Sequence, residues 1–407
     1  MHRLSGTAAS FDPALLHGKG RGGEDRTALR RVAGASAAAG PLAEDSAGPG
    51  TMTAAIFRGR APLRLGLAGG GTDMRAYCDR YGGAVLNVTI NRFAHATVIP
   101  RQDGRVHFIA DDLGESEETE AAPFLPCDEG LRLHRGLYNR IVQDYNGGRP
   151  LPLTLITSID SPRGAGLGAS SALVVAMLEA FRAWLGLPLG EYDLAHLAYR
   201  IERIDLGMAG GAQDQYAAAF GGLNFMGWAA DGHVIVNPLP IREVVRNELE
   251  TLLLLYFTGV SRYSSDIIEK QTAAISGDVP DAVEALHLMK RDALEMKAAL
   301  LRSDLSSVAA ILRHSWEAKK ATAAMVSSAE IDRVLDAALA AGALAGKISG
   351  AGGGGFMMLL ADPLHRAAVI ETLRGFGGEA GPCSFSSGGS TGWMVSPGGF
   401  RPFGVKP

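Results

Sequence analysis

The sequence predicts an α+β protein of two domains, and three observations predict it. The chain is 407 residues long, more than the roughly 100–200 residues of one ordinary domain. Stretches of alternating and of helical hydrophobic spacing follow one another without the regular strand–helix–strand alternation of a doubly wound parallel sheet. The 53 glycines are concentrated at 69–71, 164–168 and 350–355, each time beside an apolar run. Glycine lets the backbone turn where a side chain would clash. These clusters therefore mark tight sites of the kind that wrap phosphate or sugar.

Residues 1–55 are rich in Ala, Gly and Ser, carry one aromatic residue, Phe11, and show no sustained period. They are expected to form a disordered extension, with Met52 as the expected true start. They lack the basic start and apolar stretch of a signal peptide, and Glu24, Asp25, Glu44 and Asp45 argue against a transit peptide.

A first domain is expected over 56–240. Residues 61–68 read as a strand, and 83–98 alternate as a strand pair would. Residues 111–130 are acidic and loop-like, 131–145 are helical, and 151–159 form a strand. After the loop 160–169, an apolar helix runs to 185, where Gly186 and Pro188 end it. A second helix spans 191–206 with Leu194, Leu197, Ala198, Ile201 and Ile204 on one face, and a short helix carries Asp214. A second domain is expected over 241–400. It reads as a strand at 252–257, long helices over 261–341, a strand–glycine–strand unit at 347–361 and a helix at 364–375.

Composition excludes several functions. The formal net charge is −4 and the isoelectric point about 6.2, which argues against a nucleic-acid partner held by bulk basicity. Cys78, Cys127 and Cys383 are far apart in sequence, without disulfide-framework or zinc spacing, so a reducing, cytoplasmic setting is expected. No apolar run approaches the roughly 20 residues of a membrane span, so no membrane partner is expected.

Four constellations could carry chemistry. Residues 161–172 (SPRGAGLGASSA) lie between a strand and a helix. Gly164, Ala165, Gly166, Leu167, Gly168, Ala169, Ser170 and Ser171 could turn backbone N–H groups toward phosphate at a helix N-terminus. A plain glycine turn with a serine N-cap fits as well. Glu202 and Asp214 lie twelve residues apart on successive helical segments. One could hold magnesium and the other take a proton from a hydroxyl, or they could be a solvated helix charge and a helix cap. Residues 347–356 (KISGAGGGGF) contain GxGxxG. A strand follows where the dinucleotide fingerprint requires a helix, so a glycine hairpin pressed on a ligand or another backbone fits better. Arg64 precedes Gly69, Gly70, Gly71, Thr72 and Asp73, a turn that could hydrogen-bond sugar hydroxyls or simply carry an Asp cap. Ser261, Arg262 and Ser264 could sit at a phosphate, whereas Lys319 and Lys320 read as a solvated helix face.

Taken together, Ala61-Pro62-Leu63-Arg64, then Gly166-Leu167-Gly168-Ala169-Ser170-Ser171, then Gly350-Ala351-Gly352-Gly353-Gly354-Gly355 resemble, in this order, the GHMP small-molecule kinase superfamily. The resemblance covers about residues 56–395. It implies an N-terminal domain like ribosomal protein S5 domain 2 and a ferredoxin-like C-terminal domain, with ATP and a small-molecule acceptor meeting between them. By position, Ser170 and Glu202 resemble the magnesium ligands, and Asp214 the catalytic aspartate. Arg64 resembles the arginine beside the reacting hydroxyl, and Asp73 the sugar-binding aspartate. Gly70, Gly71, Thr72, Gly352, Gly353, Arg262 and Lys347 are the further expected substrate contacts. Gly69-Gly70-Gly71-Thr72-Asp73 stands where galactokinases carry Gly-Glu-His-Thr-Asp, which argues against galactose.

Within the superfamily, residues 69–73, 81–87, 213–216 and 258–262 look like the branch that phosphorylates the anomeric hydroxyl of D-glycero-D-manno-heptose 7-phosphate. That branch works on the way to GDP-heptose for surface polysaccharide, and the phosphate its substrate carries needs cations, for which Arg75, Arg262, Lys319, Lys320 and Lys347 are equal candidates. L-fucose kinase domains share much of this pattern, so a sugar 1-kinase for an unphosphorylated sugar stays open. So does a non-catalytic sugar and ATP sensor, although such a sensor commonly loses a carboxylate and Glu202 and Asp214 are both present. ATP and Mg2+ are the implied cofactors, a sugar phosphate is the implied partner, and a homodimer is compatible with the resemblance.

Overall fold

The computed structural model describes residues 55–259, 264–396 and 399–400. The extension expected over 1–55 lies outside the described residues except for Ala55, and so do Ser261 and Arg262.

The first sheet is built on two long strands. β1 (Ile56–Ala68) runs antiparallel to β2 (Gly83–Pro100), with α1 (Arg75–Tyr81) in the connection. The expected strand pair at 83–98 is instead this single strand. Its first half, residues 83–90, is buried throughout, and its second half alternates; the two halves serve different neighbours. Gly83–Val88 pairs with β6 (Leu223–Trp228), and Ala94–Pro100 pairs with β5 (Leu153–Ile159). Irregularities in β1 at Pro62/Arg64 and Gly66/Ala68 accommodate the bend.

The acidic stretch expected as loop contains β4 (Glu115–Glu120), paired with β3 (Arg105–Ala110). Sequence reading missed both strands. β4 is an edge strand with Glu115, Glu118 and Glu120 exposed, a device that keeps sheet edges from pairing with other chains, while Glu117 is paired with Arg135.

Helix α2 (Arg132–Tyr145) leads into β5, and α3 (Ala169–Leu185) packs its apolar length across β1 and β2. α4 (Glu191–Tyr199) widens into a π-type turn over Arg200–Asp205, and α5 (Gln213–Phe220) follows. β6 and β7 (Val234–Pro238) form a hairpin that was also not foreseen. α6 (Glu243–Leu252) runs directly into β8 (Leu253–Phe257).

The expected helical region resolves into α7 (Ser264–Ser276), α8 (Pro280–Arg302), α9 (Leu305–Lys320) and α10 (Ala329–Ala340). The second sheet is antiparallel, in the order β11 (Glu379–Pro382), β8, β10 (Phe356–Ala361), β9 (Ala343–Ile348). α11 (Arg366–Arg374) packs on α10 and β11. The chain then returns to the first sheet. β12 (Thr391–Ser396) pairs antiparallel with β1, and β13 (Gly399–Phe400) follows it. Residues on both sides of position 240 therefore share one sheet. They also share one apolar core, in which Leu253, Leu255, Met296 and Met358 join Leu63, Leu65 and Val174. None of the described helices is long and apolar enough to cross a membrane.

Candidate active site

The loop between β5 and α3 is turned inside out. Its carbonyls point back into the protein: Ala165 O accepts from Phe356 N (3.0 Å) and Leu167 O from Arg64 N (3.0 Å). Gly166 O accepts from Arg64 Nη1 (2.6 Å) and Ser349 Oγ (2.9 Å). With the carbonyls held behind the loop, its N–H groups are left for the open side. Gly164, Gly166 and Gly168 have φ of 67°, 78° and 73°, the left-handed conformation that such an anion-binding nest needs.

Gly168 is the N-cap of α3, and no side chain caps the helix. The alternative of a serine cap is thereby excluded, and the first-turn N–H groups of Ala169, Ser170 and Ser171 carry the positive helix end toward the same side. The side chains of Ala165, Leu167 and Ser171 are buried, so these residues offer only backbone to a ligand.

The glycine run 350–355 is a hairpin pressed against another backbone. A Cβ on Gly166 would lie 2.4 Å from Ser349 O, and one on Gly355 would lie 2.6 Å from Ala165 O. Gly350 reaches the cavity wall. Gly352 and Gly353, expected at the substrate, are not part of the cavity lining: Gly353 N donates to Val326 O (2.8 Å), and a Cβ on Gly352 would strike the same residue.

Beside the loop lies a cavity of about 930 Å³, lined by Arg64, Gly70, Gly71, Asp73, Gly164, Ser170, Asp214, Lys319 and Lys347 among others. Arg64, on β1, meets Asp214 in the first turn of α5. Arg64 Nε lies 2.7 Å and Nη2 2.6 Å from Asp214 Oδ1. The N-cap of α5 is Ala212, so Asp214 is not the cap of its helix. Gly168 closes the triangle, since a Cβ there would sit 3.2 Å from Asp214 Cγ.

Asp73 is 2% exposed. It accepts from Gly71 N, Gln213 N and Gln213 Nε2, each at 3.0 Å. Burial, and to a lesser extent the charge of Asp214, raise its pKa above the usual carboxylate value despite the main-chain donors. It ties the glycine turn 69–71 to the start of α5 while keeping a place in the cavity wall. Thr72 was expected at the substrate and is not there. It is wholly buried, its hydroxyl bonded to Gly69 O, Ala84 O and Ala84 N at 2.8, 2.9 and 3.0 Å.

Glu202 sits on the π-type turn with no exposure at all, which excludes a solvated helix charge. Its Oε1 accepts from Ser170 Oγ (3.0 Å) and its Oε2 from Gln215 Nε2 (2.5 Å). A hydroxyl and a carboxylate side by side are hard oxygen donors of the kind magnesium takes, with waters and phosphate oxygens completing its shell. No group of three or more His, Cys, Asp or Glu suited to a metal occurs among the described residues.

Two lysines behave differently from each other. Lys320 is paired with Glu317 (2.9 Å) on the helix surface. Lys319, expected on the same solvated face, is 5% exposed and lines the cavity, as does Lys347 at 3%. The signal was present in α9: Val308, Leu312, Trp316 and Lys319 follow one apolar stripe. Sequence reasoning missed Gln213 and Gln215, which grip Asp73 and Glu202.

An anion cradle, a hydroxyl–carboxylate pair and an arginine-bound aspartate around one cleft define a phosphoryl-transfer enzyme acting on a small molecule. The chain belongs to the GHMP kinase family. Residues 132–222 match the GHMP kinases N terminal domain and 296–379 the GHMP kinases C terminal domain. The chain is 46% identical, over 83% of its length and 99% of the relative, to D-glycero-alpha-D-manno-heptose 7-phosphate kinase of Campylobacter jejuni. It is 26% identical to the L-fucokinase/L-fucose-1-P guanylyltransferase of Bacteroides fragilis, of which the match spans 36%.

A crystal structure described as a D-glycero-D-manno-heptose 1-phosphate kinase from Bacteriodes thetaiotaomicron superposes with a TM-score of 0.70 at 42% identity, covering 83% of this chain and 98% of that one. Lactococcus lactis galactokinase complexed with galactose (TM-score 0.66, 18% identity, 83% of this chain and 95% of that one) shares the fold. The two-domain GHMP kinase fold and the phosphotransferase class expected from the sequence are thus both found.

Proposed function

We propose that this kinase transfers the γ-phosphoryl group of ATP to the anomeric hydroxyl of D-glycero-D-manno-heptose 7-phosphate, giving the 1,7-bisphosphate and ADP. The observation that carries this reading is the full-length similarity to a heptose 7-phosphate kinase, joined to the position of Asp214 between the glycine cradle and the 69–73 turn.

In this reading the 164–171 loop holds the ATP phosphates through its outward N–H groups. Asp214 presents Oδ2 to the anomeric hydroxyl, because Oδ1 is occupied by Arg64. The hydroxyl proton passes to Asp214 as the anomeric oxygen bonds to the γ-phosphorus, and the bond from phosphorus to the ADP oxygen breaks. Arg64 fixes the carboxylate and sets a positive charge beside the transferring group. Such a transfer is mostly positioning and electrostatics. Ser170 and Glu202 would hold Mg2+, which neutralises phosphate charge. The assignment of ATP mainly to residues 56–240, and a cytoplasmic setting with ATP at hand, belong to the same reading.

A coupled ADP-release assay tests it. Magnesium-ATP is supplied with D-glycero-D-manno-heptose 7-phosphate, L-fucose, D-mannose or D-galactose. Turnover confined to the heptose phosphate is the expected result. Turnover of L-fucose instead would favour the second reading, to which the fucokinase relative points, and would retire the first.

A further inference from the structure

Lys319 and Lys347 come from different elements, α9 and β9, yet both line the cleft, and the charge of Lys319 reaches Lys347. Each is held only by main-chain carbonyls: Lys319 Nζ donates to Gly350 O, and Lys347 Nζ to Leu67 O (3.2 Å). No ion pair with a carboxylate is formed by either among the described residues. Buried charges are ordinarily paired, because removing an ion from water is costly. Of the neighbouring cations, Arg64 is paired with Asp214 and Arg203 with Glu202 (3.7 Å), while Arg132 is bonded to Cys127 O and Leu206 O. Of the other cations raised by the sequence, Arg75 and Lys320 are paired on the surface with Asp79 and Glu317, and Arg262 lies outside the described residues.

We propose that Lys319 and Lys347 together form the binding site for the phosphate that the acceptor sugar itself carries; this rests on the reading of a phosphorylated acceptor. Three observations place the site on the acceptor side. The nucleotide phosphates have their own cradle in the 164–171 loop. Lys347 is anchored at Leu67, two residues before the glycine turn 69–71. Lys319 lies within electrostatic reach of Asp73 and Asp214.

The charge state of the pair agrees. Burial first, then the charge of Arg64, lowers Lys319 to about 8 against the opposing pull of Asp73 and Asp214. Burial, then Lys319 and Arg64, pushes Lys347 well below its ordinary value against the pull of Asp292. A phosphate dianion beside the two amines would raise both pKa values and favour their charged forms.

The test compares kcat/KM for D-glycero-D-manno-heptose 7-phosphate with that for the phosphate-free heptose, in wild type, Lys319→Met and Lys347→Met. The preference for the phosphorylated sugar is expected to fall by about tenfold or more in each variant, as for a lost charge-assisted contact, with KM for ATP moving much less. An unchanged preference, or equal losses on both sugars, would overturn the site. A wild type without any preference would instead overturn the reading of a phosphorylated acceptor, and the site with it.

A second measurement needs no variant. Calorimetric titration of wild type with heptose 7-phosphate at pH 8, in buffers of different ionisation enthalpy, should register net proton uptake. Binding without uptake would also overturn the proposal.

Discussion

Asp214 gives one carboxylate oxygen, Oδ1, to two nitrogens of Arg64, at 2.7 and 2.6 Å, so its second oxygen is the one left for chemistry. The two nitrogens converge on one oxygen and fix its position. Asp214→Asn keeps the shape and removes the proton acceptor. We expect kcat to fall by about 100-fold or more, with Tm within a few degrees of wild type. Arg64→Lys keeps the charge but not the fork. It should cost about tenfold in kcat, measured in the ADP-release assay.

The contact of the two glycine segments sets a second expectation. Gly166 has φ 78°, and a Cβ there would lie 2.4 Å from Ser349 O. Gly166→Ala therefore meets both backbone strain and a collision with main chain. It should destabilise the protein by about 1–3 kcal/mol and raise KM for ATP more than KM for the sugar. Urea unfolding and initial-rate kinetics read the two effects separately.

Ser170 and Glu202 predict a metal dependence. Ser170→Ala removes a hydroxyl oxygen 3.0 Å from Glu202 Oε1. The magnesium concentration giving half-maximal rate should rise by about tenfold. Gln215→Leu, which frees Glu202 Oε2, should have a smaller effect of the same sign. A magnesium titration at saturating ATP is the check.

Lys319 predicts a dependence of stability on pH. Its folded pKa, about 8, lies below the ordinary 10.5. The unfolded chain therefore binds more protons between these values, and stability from this group rises with pH across the same window. Below it, Lys319 is a charged burden of about 3 kcal/mol by order of magnitude. Arg64, Lys347, Asp73 and Asp214 are the charges that face it. Lys319→Met should melt higher than wild type at pH 7, and the gap should narrow toward pH 10. A constant gap would rule out the ionisation as its cause.

Much of this architecture was readable in the chain, and what escaped did so for physical reasons. The helix over 169–185 and the strand over 153–159 have strong periods and glycine or proline borders, and both stand within two residues of expectation. The edge strand Glu115–Glu120 escaped because an exposed strand has no apolar face to betray it. At the site, Arg64, Asp214, Ser170 and Glu202 were recognised by their motifs, and the structure brings Arg64 to Asp214 and Ser170 to Glu202. Thr72, Gly352 and Gly353 lie in the same motifs yet do not line the cleft, because a motif carries the backbone turn as well as the ligand contacts. Lys319 could not be told apart from Arg75, Lys320 and Lys347 in sequence, because a lysine on a helix is usually solvated. Its burial depends on β9 and the glycine hairpin, which are remote in sequence.

The pairing of β12 with β1, Arg58 opposite Trp393, bears on how the enzyme is made. A ribosome that has reached residue 240 has already synthesised Arg64, Ser170, Glu202 and Asp214, but not the strand that borders β1. Until Thr391–Ser396 emerges, the strand that carries Arg64 keeps an open edge. Completion of the first sheet is thus a late event that waits on nearly the whole chain, and nascent or prematurely terminated chains would expose that edge to chaperones and proteases.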